Sequence, residues 1–277
     1  MLPRSLKPFL LIGSAKSGTT SLFADICQHP DVFLPPVKEP GDLCHDKVLT
    51  TKGRAKYFSL FANAPEGTWV GDASTTYTHR HKYPGVPERA KSVLGEDVDI
   101  IFIGRNPVER LKSHYRHRIL TGRVEGPLSD VLLEDSDFLL QSKYDLQLEV
   151  WLDAFSRDRI LILKFEDYIR APDDVVHRIW RHLGLRRVAA NLGQRRNVSA
   201  GRFMNDGLFG RLIRSPVYKR HLRNLMPERL RVGLQPVLLQ RHEGKFTDDL
   251  PAEREQSLRQ ELMEACRNFY AMAERFE

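Results

Sequence analysis

The stretch Ile12-Gly13-Ser14-Ala15-Lys16-Ser17-Gly18-Thr19-Thr20-Ser21-Leu22 sets two glycines, one lysine and a run of hydroxyls between an apolar segment and a helical one. Gly13 and Gly18 let the backbone turn tightly. The amides of Ser17, Gly18, Thr19, Thr20 and Ser21 then fall at a helix N-terminus, where unpaired N–H groups and the helix dipole favour an anion. Lys16 adds a point charge, and Thr19, Thr20 and Ser21 add hydroxyl donors. The pattern reads as a phosphate cradle. The loop of nucleotide hydrolases ends Gly-Lys-Ser/Thr and carries its lysine after the last glycine. Here Lys16 precedes Gly18, and no pair of acids after a second strand offers a magnesium site. The bland alternative is a Ser/Thr-rich helix cap with an incidental lysine, and the strand–loop–helix setting argues against it.

A second anion site is suggested by Ile101-Phe102-Ile103-Gly104-Arg105-Asn106-Pro107-Val108-Glu109-Arg110-Leu111-Lys112-Ser113-His114-Tyr115. Arg105 ends a buried strand, where a charge must face a cleft or a partner. Pro107 suits the first turn of the next helix, and Ser113 follows two turns along it. An Arg–Ser pair at this spacing can hold a second phosphate; the alternative is a structural acid that pairs with Arg105. Neither His79 with His81 nor His114 with His117 has an acid or thiol at ligand spacing, so no metal is expected. No Gly-x-Ser-x-Gly elbow is present.

The elements that must position these residues follow from the apolar runs. Pro8–Gly13, Thr68–Asp72, Asp99–Gly104 and Arg159–Phe165 are nearly continuous in apolar character, as in strands covered on both faces. Helical stretches alternate with them: Thr19–Gln28, Pro107–Leu120, Tyr144–Phe155 and Pro172–Leu183. This alternation predicts an α/β fold with a parallel sheet, in which ligands bind beyond the carboxyl ends of the strands. From Gly201 onward the chain reads as a helical elaboration, with an Arg- and Leu-rich segment Gly210–Arg231 and an amphipathic helix in Pro251–Glu277. No repeat or linker divides residues 1–277, so a single domain is expected.

The 277 residues carry 43 Lys and Arg against 36 acids, a net charge of +7, which favours an anionic partner. That balance suits a phosphorylated small molecule as well as a nucleic acid or an acidic lipid. The basic run Lys219, Arg220, Arg223, Arg229 and Arg231 reads as a solvated helix face. Cys27, Cys44 and Cys266 are odd in number and widely spaced, as in a reducing compartment. The apolar run Phe9–Ile12 is too short for a signal peptide or a span. A cytoplasmic protein without stable membrane insertion is the expectation.

The two anion segments together resemble the sulfotransferases that use 3′-phosphoadenosine 5′-phosphosulfate (PAPS). Lys16–Leu22 is similar to their 5′-phosphosulfate loop, and Arg105-Asn106-Pro107 through Ser113-His114-Tyr115 to their 3′-phosphate motif. Gln28–Pro35 followed by Lys38-Glu39-Pro40 resembles the carbohydrate and heparan-type branch and its bacterial relatives. Gly71–Tyr77, Leu161–Tyr168 with Phe165-Glu166-Asp167, and His182–Leu185 continue the family's order, so the resemblance runs from about Phe9 to Leu185.

The resemblance implies a P-loop-type parallel sheet flanked by helices, and transfer of a sulfuryl group to an acceptor hydroxyl on a sugar, lipid or secondary metabolite. By position, Lys16 and Ser17, Gly18, Thr19, Thr20 and Ser21 hold the 5′ phosphosulfate, and Arg105 and Ser113 the 3′ phosphate. Lys16 also neutralises the leaving oxygen, no metal is required, and adenosine 3′,5′-bisphosphate (PAP) is the product. Glu39 matches the acidic catalytic base, with Lys38 beside it, and Asn197–Arg202 nominates Arg202 for a loop that closes over the cofactor. Relatives follow Lys-Glu-Pro with His-Phe-Phe, whereas this chain has Gly41-Asp42-Leu43-Cys44-His45-Asp46. Asp42 and His45 therefore stand as alternative bases. A P-loop-type nucleotide-dependent kinase is the rival enzyme, and a basic nucleic-acid-binding protein ranks third; no recognition helix supports the latter.

Overall fold

Five strands form one parallel sheet: β1 (Lys7–Gly13), β2 (Val32–Phe33), β3 (Trp69–Ala73), β4 (Asp99–Gly104) and β5 (Ile160–Lys164), in the order β2-β3-β1-β4-β5. The computed structural model describes residues 5–35, 37–121, 123–193, 203–204, 239–240 and 250–275. β1 is central, registered as Leu10↔Asp72 on one side and Leu10↔Ile100 on the other. The chain runs outward from β1 to one edge, then crosses to β4. The crevice beyond the carboxyl ends of β1 and β4 is therefore a topological switch point, where ligands of open α/β sheets bind.

The alternation of strand side chains divides the core into two layers. Leu10, Ile12, Ile100 and Phe102 point to one face, with Ala90 of α3 (Val86–Leu94), Leu148 and Trp151 of α7 (Tyr144–Ala154), and Phe269. Phe9, Leu11, Ile101 and Ile103 point to the other, with Leu22 and Ile26 of α1 (Thr19–Ile26) and with α9 (Pro172–His182). Helix α9 shows why a short segment settles as a helix. Val175, Val176, Ile179 and Trp180 are buried on one face, Pro172 opens it, Asp173 and Asp174 occupy the first turn, and Arg181 and His182 the last.

The remaining helices are α2 (Thr51–Ser59), α4 (Pro107–Leu120), α5 (Leu128–Glu134), α6 (Asp137–Leu140), α8 (Phe165–Arg170), α10 (Ala252–Glu261) and α11 (Met263–Arg275). The four strands expected from sequence lie within a residue or two of the observed ones, whereas β2, α2, α3 and α5 were not anticipated. The single C-terminal helix expected in Pro251–Glu277 is two helices. They meet at buried Leu262, across which the hydrogen bonds Leu262 N to Leu258 O and Cys266 N to Leu262 O continue. Among the described residues no helix is long and apolar enough to cross a membrane.

The chain divides into two compact units. The first comprises Met1–Leu111, Leu139–Asn197 and Ser257–Glu277, and holds the sheet. The second comprises Lys112–Phe138 and Val198–Gln256; within it Phe203–Met204 pairs antiparallel with Leu239–Gln240 and Tyr115 Oη donates to Gly126 O at 2.7 Å. Arg202 and the basic run Lys219–Arg231 lie outside the described residues.

Candidate active site

Gly18 caps α1 in the left-handed conformation at φ 76° and ψ 11°, which turns the chain from β1 into the helix. Not every amide of the loop stays open. Ser17 N donates to Ser14 O at 3.3 Å and Ser21 N to Gly18 O at 3.0 Å. The amides without an acceptor earlier in the helix are those of Gly18, Thr19 and Thr20, a narrower cradle than the five expected. The floor is fixed by side chains: Ser14 Oγ and buried Ser17 Oγ lie 2.5 Å apart, and the Ser14 hydroxyl donates to Tyr144 Oη at 3.3 Å. Burial raises the Tyr144 hydroxyl above its ordinary range, so it stays protonated.

Phe165 joins this loop to the end of β4. A Cβ on Gly18 would come within 2.6 Å of the Phe165 ring, so only glycine lets the ring pack there. The Arg105 guanidinium lies over the same ring, 5.3 Å from its centroid, a favourable cation–π geometry. The alternative of a structural acid is met only weakly: Glu109 Oε2 is 3.4 Å from Arg105, and the acid is 42% exposed. Asn106 Oδ1 accepts from Val108 N and Glu109 N and thereby caps α4, while Asn106 N donates to Glu166 Oε1 at 2.9 Å. Ser113 lies on α4 in the second unit.

Glu39 reaches the site on the loop that follows β2. Its amide donates to Ala73 O at 2.9 Å. One carboxylate oxygen, Oε2, accepts from Thr75 N at 2.7 Å and Thr75 Oγ1 at 3.1 Å, and Oε1 accepts from Lys38 Nζ at 3.0 Å. Lys38 Nζ also donates to Thr20 Oγ1 at 3.3 Å, which ties the carboxylate loop to the cradle. Among the described residues, the non-glycine positions with positive φ are Lys16 at 72° and Glu39 at 61°. Such conformations cost of order 1–3 kcal/mol and cluster at functional sites.

Beneath this loop sits Asp72, at the end of β3. It accepts from Tyr77 Oη at 2.6 Å, Ser74 Oγ at 2.8 Å and Tyr57 Oη at 3.0 Å. Burial pushes its carboxyl up to about 6, against the three hydrogen bonds that favour the ionised form. Ser74 Oγ in turn accepts from Gly41 N at 3.1 Å and Tyr77 Oη from Leu43 N at 3.4 Å. One buried carboxylate therefore anchors the segment that carries Glu39.

The alternative bases are engaged elsewhere. Asp42 pairs with Lys56 at 2.5 Å, and the His45 ring meets Tyr83 edge-on at 5.7 Å. His79 and His81 stack at 6.0 Å, and His114 packs on Phe138 at 4.7 Å. Residues that the sequence left without a role, Ser14, Tyr144, Thr75, Asp72 and Phe165, prove to shape the site. The signal was present for four of them, because Ser14, Asp72, Thr75 and Phe165 fall inside quoted motifs. Tyr144 gave none.

This arrangement can hold an anion against three open amides and two lysine-bearing loops, next to a carboxylate able to take a proton. A family model for the sulfotransferase domain matches residues 6–196. The chain is 27% identical over 207 residues to bifunctional heparan sulfate N-deacetylase/N-sulfotransferase 4 of Mus musculus, which covers 65% of this chain and 22% of that protein. It is 27% identical over 197 residues to heparan sulfate glucosamine 3-O-sulfotransferase 3A1 of Mus musculus, covering 67% and 47% respectively. It thus spans between about a fifth and about half of the length of these curated relatives. A crystal structure of a sulfotransferase from Alicyclobacillus acidocaldarius aligns with a TM-score of 0.58 at 28% identity, over 65% of this chain and 81% of that one. The match over most of the chain, on a parallel sheet whose switch point carries a loop with open amides, makes this protein a member of the sulfotransferase domain family.

Proposed function

We propose that this protein is a PAPS-dependent sulfotransferase that moves a sulfuryl group to a hydroxyl of a small-molecule or carbohydrate acceptor, and that residues 1–277 act as one sulfotransferase domain. The observation that carries the reading is the link from cradle to carboxylate: Thr20 on α1, Lys38 and Glu39 are joined by hydrogen bonds of 3.3 and 3.0 Å. The residues fit a phosphate-bearing donor, since the Gly18–Thr20 amides face the open end of α1. PAPS, once bound, supplies an activated sulfuryl group with a phosphate leaving group.

In this reading the Gly18, Thr19 and Thr20 amides, with the Thr19, Thr20 and Ser21 hydroxyls, hold the 5′ phosphosulfate on a floor that buried Ser17 fixes. Their preorganised dipoles stabilise charge that develops on the leaving side. Lys16 neutralises that charge. Arg105 binds the 3′ phosphate, with Ser113 assigned to it on the sequence pattern. Glu39 accepts the proton of the acceptor hydroxyl: Thr75 and Lys38 orient its carboxylate, and a carboxylate has about four acceptor sites, enough for a further hydrogen. Arg202 remains a candidate for closing over the nucleotide.

Calorimetric titration with PAP, 5′-AMP and ATP tests the reading. PAP is expected to bind with micromolar-class affinity, about −8 kcal/mol, and Arg105→Ala to remove the advantage of PAP over 5′-AMP. Equal binding of PAP and 5′-AMP by the unaltered protein would remove Arg105 from the 3′ phosphate. Tight magnesium-dependent ATP binding without PAP binding would favour the kinase instead.

A further inference from the structure

We infer that Lys38 is the residue that touches the sulfuryl group, so that the site distinguishes the sulfated donor from its desulfated product. The inference rests on the PAPS reading above and goes beyond its assignment of Lys16 and Glu39. Lys38 Nζ is 3.3 Å from Thr20 Oγ1 and 3.0 Å from Glu39 Oε1, and its side chain is only 22% exposed. Thr20 stands in the first turn of α1, where the phosphosulfate cradle lies. Glu39 marks the acceptor side. A group in transit between donor and acceptor must pass between these two, and Lys38 already spans them.

Electrostatics point the same way. A cation at a helix N-terminus is unfavourable, because that end carries partial positive charge. Glu39 pairs with this cation through Oε1 at 3.0 Å, while its Oε2 accepts from Thr75. An ammonium has three hydrogens, and among the described residues two have acceptors, Thr20 and Glu39. An anionic sulfuryl oxygen supplies the third acceptor and relieves the repulsion. Adenosine 3′,5′-bisphosphate has no such oxygen to offer.

The test is calorimetric titration of the full chain with PAPS and, separately, with PAP. It needs no acceptor. Lys38→Met keeps the apolar stem and is expected to weaken PAPS about tenfold or more, the value of a charged hydrogen bond, while PAP changes by no more than about twofold. Because Lys38→Met also leaves Glu39 beside the donor, Glu39→Gln is compared with Lys38→Met/Glu39→Gln. The selective loss of PAPS affinity should persist between these two, where no carboxylate remains to repel the donor. Equal loss of PAPS and PAP means that Lys38 only props the cradle, and unchanged PAPS affinity means that it does not touch the sulfuryl group. Either result overturns this inference alone. An unaltered protein that binds neither nucleotide overturns it together with the sulfotransferase reading.

Discussion

At the residue scale, two residues of the candidate site stand on strained backbone. Lys16 and Glu39 keep positive φ where glycine would be easier; Glu39 is held there through its amide to Ala73 and through its carboxylate to Thr75 and Lys38. Glu39→Gln preserves shape and removes the proposed proton acceptor. Steady-state turnover with any acceptor in hand is expected to fall about 10²–10⁴-fold with PAP affinity nearly unchanged. A variant that keeps its rate, while Asp42→Asn or His45→Ala loses it, would move the base to the Gly41–Asp46 stretch. Lys16→Ala removes the cation proposed for the leaving side, and loss of a charged hydrogen bond of about 1.5–3 kcal/mol sets a floor of about tenfold in rate. Near-normal turnover would reduce the loop to a helix cap.

At the element scale, the end of β3 is the support for the loop that follows β2. Asp72 holds Tyr57, Ser74 and Tyr77, and two of these hold Gly41 and Leu43. Because the folded carboxyl titrates near 6 and the unfolded one near 3.8, the folded state binds the proton more tightly. The burden on stability is absent below about pH 4, grows as pH rises through 6, and is complete above it. At about 1.4 kcal/mol per tenfold, the difference amounts to about 3 kcal/mol. Asp72→Asn is therefore expected to flatten the decline in melting temperature between pH 4 and 7. Parallel melting curves for the two proteins across that range would show that Asp72 does not titrate there.

At the scale of the whole molecule, the parallel sheet is stabilised by apolar layers on both faces. Ile101 of β4 is fully buried in the layer against α1 and α9. Ile101→Ala should cost about 2–5 kcal/mol through lost contacts and a cavity, read as a lower urea midpoint. The same variant should retain PAP binding in the absence of urea, because the cradle lies beyond the strand ends; simultaneous loss of both would mean that site and core unfold as one. The net charge of +7 adds a long-range attraction for an anionic donor that salt should weaken.

The fold class and the strand–loop–helix turn from β1 into α1 were legible in the amino-acid order because they are local. Continuous apolar runs mark strands covered on both faces, and Gly13, Lys16, Gly18 and the following hydroxyls sit within one turn of chain. The same locality made Arg105 readable at the end of β4, since a charge after Ile100–Ile103 has to leave the core. The expected amide set Ser17–Ser21 was too generous, because which amides turn back to Ser14 O and Gly18 O depends on the turn itself. The left-handed backbone of Lys16 and Glu39 has no signature in residue type, for non-glycine side chains seldom adopt it. Sheet order alone brings Thr75 to Glu39, Lys38 to Thr20 and Phe165 to Gly18. Those contacts join segments far apart in sequence, and only tertiary packing, by burying two apolar layers around β1, decided that they would meet.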